Sequence, residues 1–203
     1  MIGKLILAGA LAVAVINPAK IMLKPKEAIP AQAAVYRARV IREARAAGGL
    51  GAPVPMFAAQ LHQESGWKST ARSGMGALGL AQFMPGTADW IANLYPADLK
   101  PGAPLDPDWA IRALVRYDYW LYKHVPKFQE GDERWAAALS SYNSGLGWVL
   151  KNQKATTVCD NSIWFGCVEN TKDNRSASNQ LQSKQYPDRI IHKLRPLYEK
   201  ANW

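Results

Sequence analysis

The chain has 203 residues, 48% of them hydrophobic, which is enough for one domain with a buried core plus an appendage. Its 25 basic residues outnumber 16 acidic ones for a net charge of +9, which favours a polyanionic neighbourhood: cell wall, anionic lipid or nucleic acid. Cys159 and Cys167 form no CxxC pair, which argues against zinc and against a disulfide-dense scaffold.

The chain opens on an apolar, uncharged run over residues 5–16, preceded by Lys4. Asn17, Pro18 and Lys20 interrupt it before Ile21-Met22-Leu23 resumes. The clean run is shorter than the roughly 20 residues a spanning helix needs. It has the length of a signal-peptide core. The nearest small-x-small site, Ala31-Gln32-Ala33, lies far downstream for cleavage. A membrane anchor, a cleaved signal and a surface or buried helix all stay open, and the first two imply export. Pro25 and Pro30 mark a linker. The chain thus divides into an N-terminal apolar signal or anchor segment (1–23), a linker (24–30) and a folded domain (31–203).

Residues 31–47 read as a helix, with Val35, Ala38, Ile41 and Arg45 near helical spacing and Gly48-Gly49 to close it. Pro53 and Pro55 open the next, with Phe57, Ala58 and Leu61 facing the core. Glu64 follows Leu61 by three and lies close to that face, at the helix end, before Gly66 breaks it. Pro85 starts another helix after a glycine-rich turn. Asp106 is a good N-cap and Pro107 a good first helical residue. From there Trp109, Ala113, Leu114, Tyr117, Trp120, Leu121 and His124 keep helical spacing up to Pro126. Residues 132–142 form an alanine-rich helix ending at Asn143 and Gly145. Residues 151–183 are polar and read as a long loop around the cysteines. Pro187 starts a last helix with Ile190, Ile191 and Leu194, kinked near Pro196. Strand patterns are scarce and there is no internal repeat, so the fold class is mainly α.

The stretch 64–88 carries the chemistry. Glu64 is its one carboxylate, and no other acid appears before Asp89. A lone carboxylic acid against apolar residues such as Phe57, Leu61 and Met84 is pushed toward its protonated form, which suits acid/base work on a sugar bond. Gly74-Met75-Gly76-Ala77-Leu78-Gly79 fits GxGxxG, but no strand precedes it, so it is no dinucleotide site. His62, His124 and His192 share no metal-ligand spacing. The sequence therefore calls for no metal and no cofactor. The basic residues are dispersed on solvated helix faces, without a nucleic-acid signature.

Three ordered motifs complete the reading. Glu64-Ser65-Gly66-Trp67 comes first. Next is Ser73-x-x-Gly76-Ala77-x-Gly79-Leu80-x-Gln82-Phe83-Met84-Pro85-Gly86-Thr87-Ala88, and last Ser141-Tyr142-Asn143-Ser144-Gly145. Together they resemble the soluble lytic transglycosylases, which have a lysozyme-like fold, over roughly residues 50–200. The resemblance implies a catalytic domain acting on peptidoglycan glycan strands. Glu64 would protonate the glycosidic oxygen between MurNAc and GlcNAc. The N-acetyl group of the substrate would assist departure. Glu64, now ionised, would then take the proton of the muramic 6-hydroxyl, giving a 1,6-anhydro end without water.

Carried over by motif, Tyr142 would hold Glu64 in position. Ser73, Gln82, Met84 and Asn143 would be cleft residues, and Gly76, Ala77 and Gly79 would let the sugar approach the backbone. A fourth family motif has an acid four residues before a Tyr near the last helix. Tyr186 matches it, but Gln182 stands at the acid's place and Pro187 at that of a branched residue, which weakens Tyr186 as a substrate contact. The N-terminal run resembles the signal-anchor-release segments of some phage endolysins. That implies an exported, monomeric enzyme tethered to the inner membrane, or periplasmic, in a Gram-negative cell. In that compartment Cys159 and Cys167 can close a small disulfide loop. The alternatives are a bacterial or plasmid-encoded wall-remodelling enzyme, a lysozyme-type hydrolase, and a silent wall-binding protein.

Overall fold

The computed structural model describes residues 27–203. The apolar segment 1–23 and residues 24–26 of the linker lie outside the described residues, and no helix among the described residues is long and apolar enough to cross a membrane. The described chain is helical: α1 (Ala33–Gly48), α2 (Val54–Ser65), α3 (Pro85–Leu94), α4 (Pro96–Leu99), α5 (Pro107–His124), α6 (Asp132–Ser144), α7 (Leu146–Ala155), α8 (Ala177–Asp188) and α9 (Arg195–Lys200). A 3₁₀ turn at Val168–Asn170 and a π-helical segment at Arg189–Leu194 complete it.

The helix starts obey local chemistry. Pro55 and Pro85 sit in the first turns of α2 and α3, where a missing N–H costs nothing. The Asp106 side chain accepts from the Asp108 and Trp109 N–H groups at 2.8 and 2.9 Å and caps α5. Gly66 ends α2 in the left-handed conformation. α2 is the centre of the core: Met56, Phe57, Ala58, Ala59, Gln60 and Leu61 are all buried. It packs on α1, α9 and the π segment, while α6 packs on α5, α7 and α8. Ala136, Ala137 and Ala138 give α6 the slim profile that lets these helices approach closely.

Trp67 is a core residue. Its indole N–H donates to the Tyr198 hydroxyl at 2.6 Å, and its ring lies 6.0 Å from Tyr36 and 5.4 Å from Trp203. This cluster fastens the C-terminus of the chain to the end of α2. Trp67 pays for that site with a left-handed backbone (φ 67°).

Two expectations are corrected. The polar stretch 151–183 is not one loop: α7 runs to Ala155, and α8 begins at Ala177 with Ser176 capping it. Polar composition hides these helices because they present mostly solvated faces. The intervening segment is tied down by a Cys159–Cys167 disulfide, with Cα atoms 5.9 Å apart. It is also held by Glu133, whose carboxylate accepts from the Trp164 and Phe165 N–H groups.

The second correction is at Pro187, which lies inside α8 rather than starting a helix. Proline lacks the N–H that an α ladder needs there, and Pro196 repeats the problem nine residues on. Between them the chain widens into the π segment, where the Arg195 N–H reaches back to the Ile190 carbonyl. The helix continues through the π segment without ending, and Ile190, Ile191 and Leu194 are buried there.

Candidate active site

A cleft of about 670 Å³ opens between the end of α2, the motif turn 71–84, α5, the end of α6 and α8. Ser73, Ala77, Gln82, Met84, Tyr142, Asn143 and Tyr186 line it together with Glu64. Gly76 and Gly79 do not. Gly76 serves a turn at φ 89°. At Gly79 (φ 75°), a Cβ would meet the Pro104 carbonyl oxygen at 1.8 Å. The space a Gly79 side chain would need is taken by the chain itself.

Glu64 stands on the last turn of α2, partly buried, beyond the buried side chains of Phe57 and Leu61. Burial raises its pKa to about 7, opposed by a hydrogen bond from Tyr186. Its place at a helix C-terminus works in the same direction as burial, because the dipole disfavours an anion there. A carboxyl near half protonation at neutral pH can give a proton and later take one.

The Tyr186 hydroxyl donates to Glu64 Oε1. Burial keeps that phenol well above its ordinary pKa, so it remains a donor. Tyr142 was expected in this role, and here the geometry differs. Its hydroxyl donates to the Ala81 carbonyl at 2.7 Å, tying α6 to the motif turn. Both tyrosines line the cleft with Glu64, and α8 is the element whose phenol reaches it.

The motif turn is braced from within. Ala77 N–H donates to Ser73 Oγ at 2.9 Å, and the Gln82 amide donates to the Gly79 carbonyl at 2.9 Å. Gln82 has a left-handed backbone (φ 49°), held by these bonds. Leu78 pairs in isolated antiparallel bridges with Arg72 and Phe83. Ser73 and Gln82 thus hold the cleft wall as well as line it.

Sequence reasoning missed Tyr117 and Arg189 on the cleft wall and Asp118 behind it. Arg189 donates to the Gln63 side chain and pairs with Glu27. Asp118 on α5 is wholly buried and accepts from the Gln60 amide at 3.3 Å. Asp118 Oδ2 and Gln60 Oε1, the other atoms of the two groups, are buried without a hydrogen-bond partner. A protonated acid facing a primary amide satisfies both, each giving one hydrogen bond to the other. Burial first, and nearby Glu64 as well, push Asp118 well above the usual carboxylate range, consistent with a neutral acid. Glu64 is the only acidic residue lining the cleft among the described residues. No grouping of three or more His, Cys, Asp or Glu that could hold a metal occurs among the described residues.

Comparison with known proteins identifies the family of the domain. Residues 41–165 match the family model of the transglycosylase SLT domain. The chain is 32% identical over 101 residues to the membrane-bound lytic murein transglycosylase F of Haemophilus influenzae, covering 50% of this chain and 19% of that protein. It is 36% identical over 89 residues to the soluble lytic murein transglycosylase of Escherichia coli, covering 43% of this chain and 13% of that one. The chain thus spans a fifth or less of the length of these relatives, at 19% and 13%. The structure of an inactive mutant of the lytic transglycosylase Slt from Pseudomonas aeruginosa superimposes with a TM-score of 0.62 at 26% identity, over 82% of this chain and 24% of that one.

Proposed function

Because the chain belongs to the transglycosylase SLT domain family, we propose that it cleaves the MurNAc–GlcNAc β-1,4 bond of peptidoglycan with 1,6-anhydroMurNAc formation. The observation that carries this reading is a single cleft carboxyl, Glu64, with a pKa of about 7 and a phenol donating to it. Hydrolysis by two carboxylates needs a second, ionised group to activate water or attack the sugar. Asp118 is buried behind the wall and does not line the cleft. An intramolecular 6-hydroxyl needs only a base to take its proton, and Glu64 is that base once it has protonated the leaving oxygen. The test is mass spectrometry of digested peptidoglycan. Products ending in 1,6-anhydromuramic acid are expected; reducing ends, about 18 Da heavier per cut, would mean hydrolysis.

The setting we propose is the periplasmic face of the inner membrane, reached through the apolar run 5–16, in service of phage-induced host lysis. Support comes from the +9 charge, from the apolar N-terminal run and from the weak hydrophobicity of its many alanines. Such an anchor holds marginally and leaves the bilayer when the membrane potential collapses. Cell fractionation with an uncoupler tests it. Full-length protein moves from membrane to soluble fraction on depolarisation; a shortened soluble form present beforehand sinks the release idea.

A further inference from the structure

The cleft does not end at Tyr117. Thr87 on α3 and Tyr117 on α5 both line it. One helical turn on from each stand Trp90 and Trp120, so the same two helix faces continue past the cleft mouth. The Trp90 ring lies 5.7 Å from Tyr117 and 4.9 Å from Trp120, edge to face. His124, a further turn along α5, stacks on Trp120 at 3.8 Å. Seven of the eight tryptophans are buried or half-buried, whereas Trp90 is 41% exposed. The Trp90 indole, edge to face with both Tyr117 and Trp120, leaves part of its apolar area uncovered in water.

We propose that this row is a distal subsite for the glycan strand, which extends past Tyr117 onto Trp90. The proposal rests on the transglycosylase reading of the cleft. Sugars of such a strand present C–H faces to a ring plane and hydroxyls or amides around it. Trp90 offers the plane, and exposed Asn93, three residues on along the same helix, adds a hydrogen-bonding amide on the same face. The surface is continuous with the cleft at Tyr117, which a strand longer than the reacting sugars must cross or overhang.

The test compares long glycan strands with short fragments that just span the cleft. Trp90→Ala lowers the preference for long over short strands, read as the ratio of kcat/KM values, by about tenfold, the size of one lost aromatic contact. The loss appears mainly in KM for long strands. Trp90→Phe restores most of it, because a ring returns. Sedimentation with purified wall sacculi gives a second readout that needs no turnover: Glu64→Gln protein binds, and Glu64→Gln with Trp90→Ala binds more weakly. An unchanged ratio together with unchanged sedimentation overturns the subsite. A native protein that cleaves neither substrate overturns the transglycosylase reading instead, while the sedimentation pair still decides the subsite.

Discussion

Glu64→Gln abolishes wall cleavage, by about a hundredfold or more, and leaves the helical fold in place. Gln keeps the size of the side chain and can still meet the Tyr186 hydroxyl, but it neither gives nor takes a proton. Glu64 must do both in one turnover, so both steps fail together. Muropeptide release, with circular dichroism to confirm folding, checks this. Activity above about a tenth of native would place the chemistry elsewhere. Asp118 is the informative contrast. Asp118→Asn keeps a donor and an acceptor for Gln60, so cleavage survives it. The sign of its stability effect also follows. An ordinary Asp ionises near 3.8, whereas buried Asp118 stays protonated well above that. The unfolded chain therefore gains stability relative to the folded one as pH rises past the ordinary value. Asn does not titrate, so the variant is at least as stable as native protein at neutral pH, and the advantage shrinks in acid. A collapse of activity in Asp118→Asn equal to that in Glu64→Gln would make Asp118 a second catalytic carboxylate.

What the sequence made legible was local. Glu64 stands beside its own turn, and the helix ahead of it is written in Pro55, Phe57 and Leu61, so its position needed no tertiary information. The same holds for Asp106 and Pro107 at α5. Features set by long-range packing were hidden. Asp118 reads as one polar residue in an amphipathic helix, and only the approach of α2 brings Gln60 and Glu64 to it. The sequence does not show that Pro104, 25 residues away, takes the place a Gly79 Cβ would need. Motif order gives the positioning of Glu64 to Tyr142, whereas the hydrogen bond comes from Tyr186. Tyr186 is 122 residues from Glu64, and the departures at Gln182 and Pro187 weighed against it. Pro187 stands inside a helix that continues, and Tyr186 is the residue just before it.

Tyr186→Phe separates the two tyrosines by sign as well as size. The Tyr186 hydrogen bond lowers the Glu64 pKa against the larger effect of burial, giving about 7. Removing the hydroxyl leaves burial unopposed, so the Glu64 pKa rises. Glu64 must be protonated to begin, so the alkaline limb of kcat/KM reports its ionisation in the free enzyme. That limb therefore moves to higher pH in Tyr186→Phe. Turnover falls at the same time. After the leaving sugar departs, Glu64 is an anion in a buried place, and a phenol donating to it is a charge-assisted bond worth about 1.5–3 kcal/mol, or about ten- to a hundredfold in kcat. Tyr142→Phe behaves differently. It loses a bond to the Ala81 carbonyl, which loosens the motif turn and lowers turnover, but it takes nothing from Glu64, so the alkaline limb stays in place. pH–rate profiles of the two variants decide it. If the limb moves in Tyr142→Phe and not in Tyr186→Phe, the roles are exchanged, and Tyr142 is the residue that holds the acid.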